Sequence, residues 1–117
     1  MINTRKYASS VYKSSMNGIK QSKKKFVNIM KYIHANNDIE KELTSDIKSN
    51  LNQLNRLWKN NEDANIEFYF KMKEYHSKIN GKFKNETLII MWDEYIMSCI
   101  QLRCQLLKLN QLCKTLY

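Results

Sequence analysis

Apolar residues recur along this chain in alternating steps of three and four residues, in three separate runs. The first run contains Tyr12, Met16, Ile19, Phe26, Met30 and Ile33 and is interrupted only by Lys23. The second contains Ile47, Leu51, Leu54, Trp58, Phe68, Met72, Tyr75 and Ile79, with Asn61 and Asn65 in the same register. The third contains Leu88, Trp92, Tyr95, Cys99, Leu102, Leu106, Leu109, Cys113 and Leu116. Spacing near 3.5 residues keeps a stripe on one side of a helix and is typical of coiled-coil-like packing. Each run therefore predicts a helix with one buried stripe, which we call a heptad seam.

The breaks between the runs set the expected helix limits. Polar residues at 36–38 separate the first two runs, Asn80 and Gly81 end the second, and Asn85 can cap the third. We expect a basic helix over residues 5–35, a long helix over 38–80 and an apolar helix over 85–117, all within one domain covering 1–117. Helices of similar length with short connections pack antiparallel. The predicted fold class is all-α, an up-down-up antiparallel three-helix bundle with heptad packing. The absence of proline and the presence of only two glycines also favour helices.

The middle of the second run leaves an alternative open. A polar patch interrupts its apolar residues at Asn60, Asn61, Glu62, Asp63 and Asn65. This patch is either a solvated part of one long helix or a loop that splits the helix and gives a four-helix bundle. Because the heptad register continues across the patch, we favour the single helix.

The third run carries more apolar residues than one seam needs. Its additional members are Ile89, Ile90, Met91, Ile96, Met97, Ile100, Leu107 and Leu112. In one interpretation this helix is central and is covered on two sides. In the other, the surplus faces a protein partner or a second copy. The interface candidates, which include three off-seam residues of the second segment, are Ile89, Trp92, Ile96, Ile100, Leu107, Leu57, Tyr69 and Phe70.

Positive charge is concentrated at the beginning of the chain. The first 37 residues carry eight basic and no acidic residues, whereas the remaining 80 carry twelve basic and eleven acidic ones, which together give the net charge of +9. Lys6, Lys13, Lys20, Lys24 and Lys31 share one helical face, about 100° from the predicted seam. The candidates for binding a polyanion are Arg5, Lys6, Lys13, Lys20, Lys23, Lys24, Lys25 and Lys31.

Four hypotheses account for this basic segment. It binds the phosphate backbone of a nucleic acid, an anionic membrane surface or an acidic protein, or it only solvates the helix. Lysine lacks the planar fork that reads base edges, so nucleic-acid binding is expected to be salt-dependent and not specific for sequence.

Catalytic and metal-binding patterns are not found in the sequence. His34 and His76 lie far apart, and Cys99, Cys104 and Cys113 do not form the close pairs of a zinc site. We predict no catalytic residue, metal or cofactor, no small-molecule substrate, and no enzymatic activity. The odd number of cysteines favours a reducing intracellular compartment, the cytoplasm or nucleus. The basic, serine-containing beginning of the chain also fits mitochondrial import, the minor alternative.

These patterns predict a non-enzymatic helical subunit that binds a protein partner or self-associates through the apolar surplus of its C-terminal helix. Nonspecific nucleic-acid binding through the basic helix is the alternative. Peripheral attachment to anionic membrane is the second alternative.

Overall fold

The computed structural model describes residues 4–116, which form five helices. These are α1 (Thr4–Ala35), α2 (Asn37–Glu42), α3 (Ser45–Asn60), α4 (Ile66–Ile79) and α5 (Glu86–Leu116). The described residues contain no strand, so the prediction of an all-helical chain is confirmed. Tyr117 and the side chain of Leu116, which the sequence assigns to the third helix and its seam, lie outside the described part.

The prediction of three helices is wrong, because the segment from 38 to 80 is divided into α2, α3 and α4. Polar side chains at the breaks satisfy backbone groups that helix ends leave free. Thr44 Oγ1 accepts a hydrogen bond from the Ile47 amide at 3.2 Å, and Asn65 Oδ1 accepts one from the Glu67 amide at 2.8 Å. The polar patch thus forms the loop between α3 and α4, which is the alternative to the single helix that we favoured.

The two long helices run antiparallel along the length of the molecule, which measures 57 × 21 × 20 Å. The side chains of Ser22 and Ser98 meet midway, and the Tyr32 hydroxyl donates to Asn85 Oδ1 where α5 begins. The α3–α4 hairpin covers this pair, with its connecting loop reaching Tyr12, whose hydroxyl donates to Asp63 Oδ1 at 2.7 Å. No residue of 4–10 or 110–115 is buried. The molecule thus has a four-helix end and a two-helix end.

The buried stripe of α1 differs in register from the predicted seam. Its buried members are Val11, Ser15, Ile19, Ser22, Phe26, Ile29 and Ile33. Tyr12 is exposed, and Met16, Lys23 and Met30 are only half-buried. Each of these four predicted seam residues is replaced in the core by its preceding neighbour. Two of those neighbours are serines, which a pattern based on apolar residues does not select.

Small side chains let α1 approach α5 closely. Ser22 Oγ lies 2.6 Å from Ser98 Oγ, and Ser15 Oγ donates to the Val11 carbonyl at 2.8 Å. Both serines therefore satisfy their hydroxyl groups while buried. A Cβ atom on Gly18 would lie 3.1 Å from Gln105 Oε1 and 3.2 Å from Leu102 Cδ1. A larger residue at position 18 would make both side chains of α5 give way by a few tenths of an ångström, so glycine suits this close contact although it is a weak helix former.

The seams predicted for α3 and α5 coincide with buried residues. Ile47, Leu51, Leu54 and Trp58 are buried on α3. On α5 every member from Leu88 through Leu109 is buried, whereas Cys113 is exposed. On α4, Phe68, Met72 and Ile79 are buried as predicted, but Tyr69 and His76 are buried as well and Tyr75 is half-buried. Buried side chains from all five helices form one continuous hydrophobic cluster.

Candidate interaction surfaces

The outer face of α5 exposes several large apolar side chains. Only one side of this helix faces the core, and the buried residues from Leu88 to Leu109 described above form that side. On the opposite side, Ile90 is 59% exposed, Met97 56%, Ile100 44% and Leu107 39%. Packing of α5 against α1 and the α3–α4 hairpin therefore leaves these four residues of the apolar surplus uncovered. Several large apolar side chains exposed on one side of a helix are typical of a contact site for another protein.

The residues predicted for a protein interface divide into three groups. Ile89, Ile100, Leu107 and Phe70 are exposed. Ile96 and Leu57 are half-buried beside the core. Trp92 and Tyr69 lie in the core, where a partner cannot reach them in this fold.

The core positions of Trp92 and Tyr69 have local causes. The Trp92 indole donates to Asn80 Oδ1 at 2.7 Å, which satisfies the ring N–H where α4 ends. Tyr69 is the neighbour of seam residue Phe68, and its ring packs edge-on against Phe70 at 5.9 Å. Large aromatic side chains supply much of the energy of both cores and interfaces, so their type alone does not distinguish the two.

Two strongly exposed residues were missing from the predicted interface, Ile90 and Met97. Both belong to a second heptad pattern on α5, at positions 90, 93, 97, 100, 104, 107 and 111. We call these seven residues the outer seam. This pattern was available in the sequence, but Asp93 and Gln111 make it less apolar than the inner one.

The lysine face of α1 points away from the core. Lys6, Lys13, Lys20, Lys24 and Lys31 are all exposed. Since the buried stripe is shifted by one residue, these lysines lie about half a turn from it, and not the quarter turn expected from the sequence. Within the described residues, Lys13, Lys20, Lys24 and Lys31 form no ion pair.

The other predicted polyanion-binding residues are placed differently. Arg5 is exposed near the beginning of α1, and Lys23 is half-buried. Lys25 lies on the flank of α1 that faces α5 and lines a groove together with Asp93 and Glu94. Lys25 therefore has acidic neighbours and does not extend the lysine face.

A hydrogen-bonded cluster is buried at the four-helix end. The Trp58 indole N–H donates to the Tyr95 hydroxyl at 3.0 Å, and that hydroxyl lies 2.7 Å from His76 Nε2. Burial lowers the pKa of His76 to about 4, so the ring is neutral at pH 7. An indole can only donate, so the Tyr95 oxygen accepts from Trp58, and the tautomer of the His76 ring decides which atom donates in the second bond.

The same cluster contains Cys99, and burial raises the pKa of its thiol to about 12. Because a nucleophilic cysteine must be a thiolate, this cysteine is unreactive in the folded chain. Tyr95 and His76 are enclosed as well. These groups join helices, and their burial keeps them from meeting a substrate.

The described residues offer neither a metal-binding cluster nor a membrane-spanning helix. No three His, Cys, Asp or Glu side chains converge there as metal ligands would. No helix within residues 4–116 has the length and apolar character to cross a bilayer. A cleft of about 700 Å³ lies between the start of α3 and the end of α4, and it is lined by Glu42 and Asp46 as well as Lys78, Lys82 and Lys84. This mixture of charges does not favour one class of ligand.

Comparison of the chain with protein-family models, curated proteins and solved structures found no match.

Proposed function

We propose that this protein is a non-enzymatic interaction subunit whose contact surface is the outer face of α5. The observation that supports it is the exposure of Ile90, Met97, Ile100 and Leu107 on one helix. The opposite side of the same helix is fully packed, so folding of this chain leaves these residues in water. A protein partner that covers them would gain the free energy of burying apolar surface, at about 25 cal/mol per Å².

The experiment that tests this proposal introduces a photo-reactive phenylalanine analogue at Met97 in the cells that produce the protein. Met97 is more than half exposed, so the replacement leaves the core unchanged. The matched control places the same analogue at Lys20, on the exposed face of α1. We expect irradiation to give protein adducts from position 97 and none from position 20.

Two outcomes of this experiment would contradict the proposal. Absence of protein adducts from position 97 would mean that the outer face of α5 contacts no protein. Equal adducts from both positions would mean that they arise from random encounter. Adducts of nucleic acid from position 20 alone would instead support the second candidate function.

That second candidate is nonspecific binding of nucleic acid by α1. It is favoured by the placement of Lys13, Lys20, Lys24 and Lys31 along one exposed face, without acidic partners in the described chain. Lysines spaced in this way supply point charges for phosphate groups and position a backbone without reading bases. Attachment to anionic membrane would use the same residues. A binding assay distinguishes the two functions by offering either nucleic acid or anionic vesicles.

A further inference from the structure

The outer seam of α5 has the composition of a helix-pairing surface. Ile90, Met97, Ile100 and Leu107 are its large apolar members, and Cys104, also exposed, lies between the last two. The seam extends over residues 90–111, a distance of about 32 Å along the helix. Alternating steps of three and four keep it on one side throughout, as in a coiled coil. The occupant that this geometry favours is therefore another helix.

Charged residues of α5 are divided between its two halves. Its acidic residues, Glu86, Asp93 and Glu94, all precede residue 95. Its basic residues, Arg103, Lys108 and Lys114, all follow residue 102. A helix with this distribution is complementary to a second copy of itself that runs in the opposite direction.

The flank of the outer seam shows the same complementarity residue by residue. Glu94 and Lys108 each follow a seam residue by one position, are 14 residues apart and so lie on the same flank. Gln101 lies midway between them. All three side chains are exposed, and neither Glu94 nor Lys108 forms an ion pair within the described residues.

We propose that two copies of this chain associate through their outer seams, antiparallel, about a two-fold axis beside Gln101. In antiparallel pairs, residues on the same flank face each other, so Glu94 approaches the partner subunit's Lys108 and the pair is repeated across the axis. In the seam itself, Met97 packs against the partner's Leu107 and Ile100 against the partner's Cys104. This inference rests on the proposed function, because it identifies the occupant of the same α5 surface.

A parallel pair is disfavoured by the same residues. Parallel packing would place acidic half beside acidic half and basic half beside basic half. Like charges so placed weaken association, and they are a common means of selecting one helix orientation over another.

Charge exchange at the flank tests the antiparallel arrangement. Sedimentation equilibrium on the purified chain at low salt compares the wild type with Glu94→Lys, Lys108→Glu and the variant carrying both changes. Each single change creates two like-charge contacts per dimer, so we expect it to raise the dissociation constant roughly tenfold. The double variant restores both contacts with reversed sign, and its dissociation constant should return close to that of the wild type.

The charge-exchange series carries its own control for net charge. Glu94→Lys raises the net charge by two and Lys108→Glu lowers it by two, whereas the double variant leaves it unchanged. If association followed net charge alone, Lys108→Glu would strengthen it by reducing repulsion. Weakening by both single changes therefore reports on the specific contact. Circular dichroism confirms that each variant remains folded.

Three results would overturn the antiparallel dimer. A chain that sediments as a monomer up to high micromolar concentration has no such interface. A dimer that ignores the single changes, or that the double variant does not restore, pairs in another way and leaves the proposed α5 surface intact. Adducts from position 97 that contain a different protein and no second copy would identify another occupant, and would support the proposed function alone.

Discussion

At the scale of single residues, the hydroxyl of Tyr95 organises the interior. It contacts Trp58 on α3 and His76 on α4, so one oxygen on α5 joins three helices. Burial also raises the pKa of Tyr95 well above its usual value, which keeps the phenol protonated and able to donate. Protonation of His76 would place a positive charge in this enclosed cluster, and burial disfavours the charged ring.

Acid should therefore destabilise the fold through His76. Its pKa is about 4 when folded and about 6.5 when unfolded, so the unfolded chain binds more protons between those values. The contribution to stability is complete above pH 6.5 and is lost as the pH falls toward 4. We expect it to amount to about 3 kcal/mol between pH 7.5 and pH 4, measured by urea unfolding.

The variant His76→Gln isolates this effect, since an amide side chain can hydrogen-bond to Tyr95 as donor or acceptor but does not titrate in this range. Its stability should change less between the two pH values than that of the wild type. His34→Gln, at an exposed position, is the matched control and should retain the wild-type pH dependence. Equal pH dependence in the wild type and His76→Gln would show that His76 is not the source.

At the scale of elements, the pairing of α1 with α5 depends on small residues. Ser15, Gly18 and Ser22 succeed one another at three- and four-residue spacing on the face of α1 that meets α5. A larger side chain at this face must displace α5 or adopt a strained rotamer. The spacing between the two longest helices is thus determined by residues that contribute little apolar area themselves.

Enlarging one of these residues should destabilise the chain. Ser22→Leu adds volume at a fully buried position and removes the contact with Ser98, so we expect a loss of about 2 kcal/mol or more in thermal or urea unfolding. Ser14→Leu, on the exposed side of the same helix, should change stability by less than about 0.5 kcal/mol. Comparable losses in both variants would indicate a propensity effect and not close packing.

At this scale, the sequence pattern predicted the buried side of a helix correctly only where the buried residues are large and apolar. The buried side of α5 could be predicted because its members from Leu88 to Leu109 are almost all large and apolar. The register of α1 could not, since Ser15 and Ser22 are buried by close helix approach and not by hydrophobicity. The loop at 61–65 was hidden because Asn61 and Asn65 fall in heptad register, although Asn65 caps a new helix.

The candidate site was predictable in part. The surplus of apolar residues on α5 was visible in the sequence, and so were Ile100 and Leu107 as members of it. Trp92 lies in the same segment but is buried in the core, where Asn80 Oδ1 accepts a hydrogen bond from its indole N–H. Which side of a long apolar helix is covered depends on the number of neighbours. That number depended on the break between α3 and α4, which the sequence offered only as the alternative to one long helix.

At the scale of the whole molecule, charge and apolar surface belong to different helices. The lysine face lies on α1, and the outer seam lies on α5. The two surfaces can therefore be altered independently. Association through apolar contacts persists in salt, whereas binding of phosphate groups weakens as counterions compete.

Charge reversal on α1 should remove polyanion binding and leave the association of α5 unchanged. We expect the triple variant Lys13→Glu, Lys20→Glu, Lys24→Glu to lose binding of short duplex DNA or RNA, and of anionic vesicles, in low-salt binding assays. The matched control reverses Lys59, Lys71 and Lys73, which are exposed on α3 and α4 and give the same change in net charge. If the control loses binding equally, net charge and not the lysine face is responsible.

Because the molecule has a four-helix end and a two-helix end, its fluorescence and circular dichroism signals report on different parts of it. Trp58 and Trp92 both pack against Tyr95, with ring centroids 6.3 and 5.2 Å from it, and the sequence contains no other tryptophan. All of the indole emission therefore originates in the four-helix end. Far-ultraviolet circular dichroism, by contrast, sums over every helical residue, including the two-helix end. The difference between the two signals is a direct optical measure of how far the ends of α1 and α5 open while the rest of the molecule stays folded.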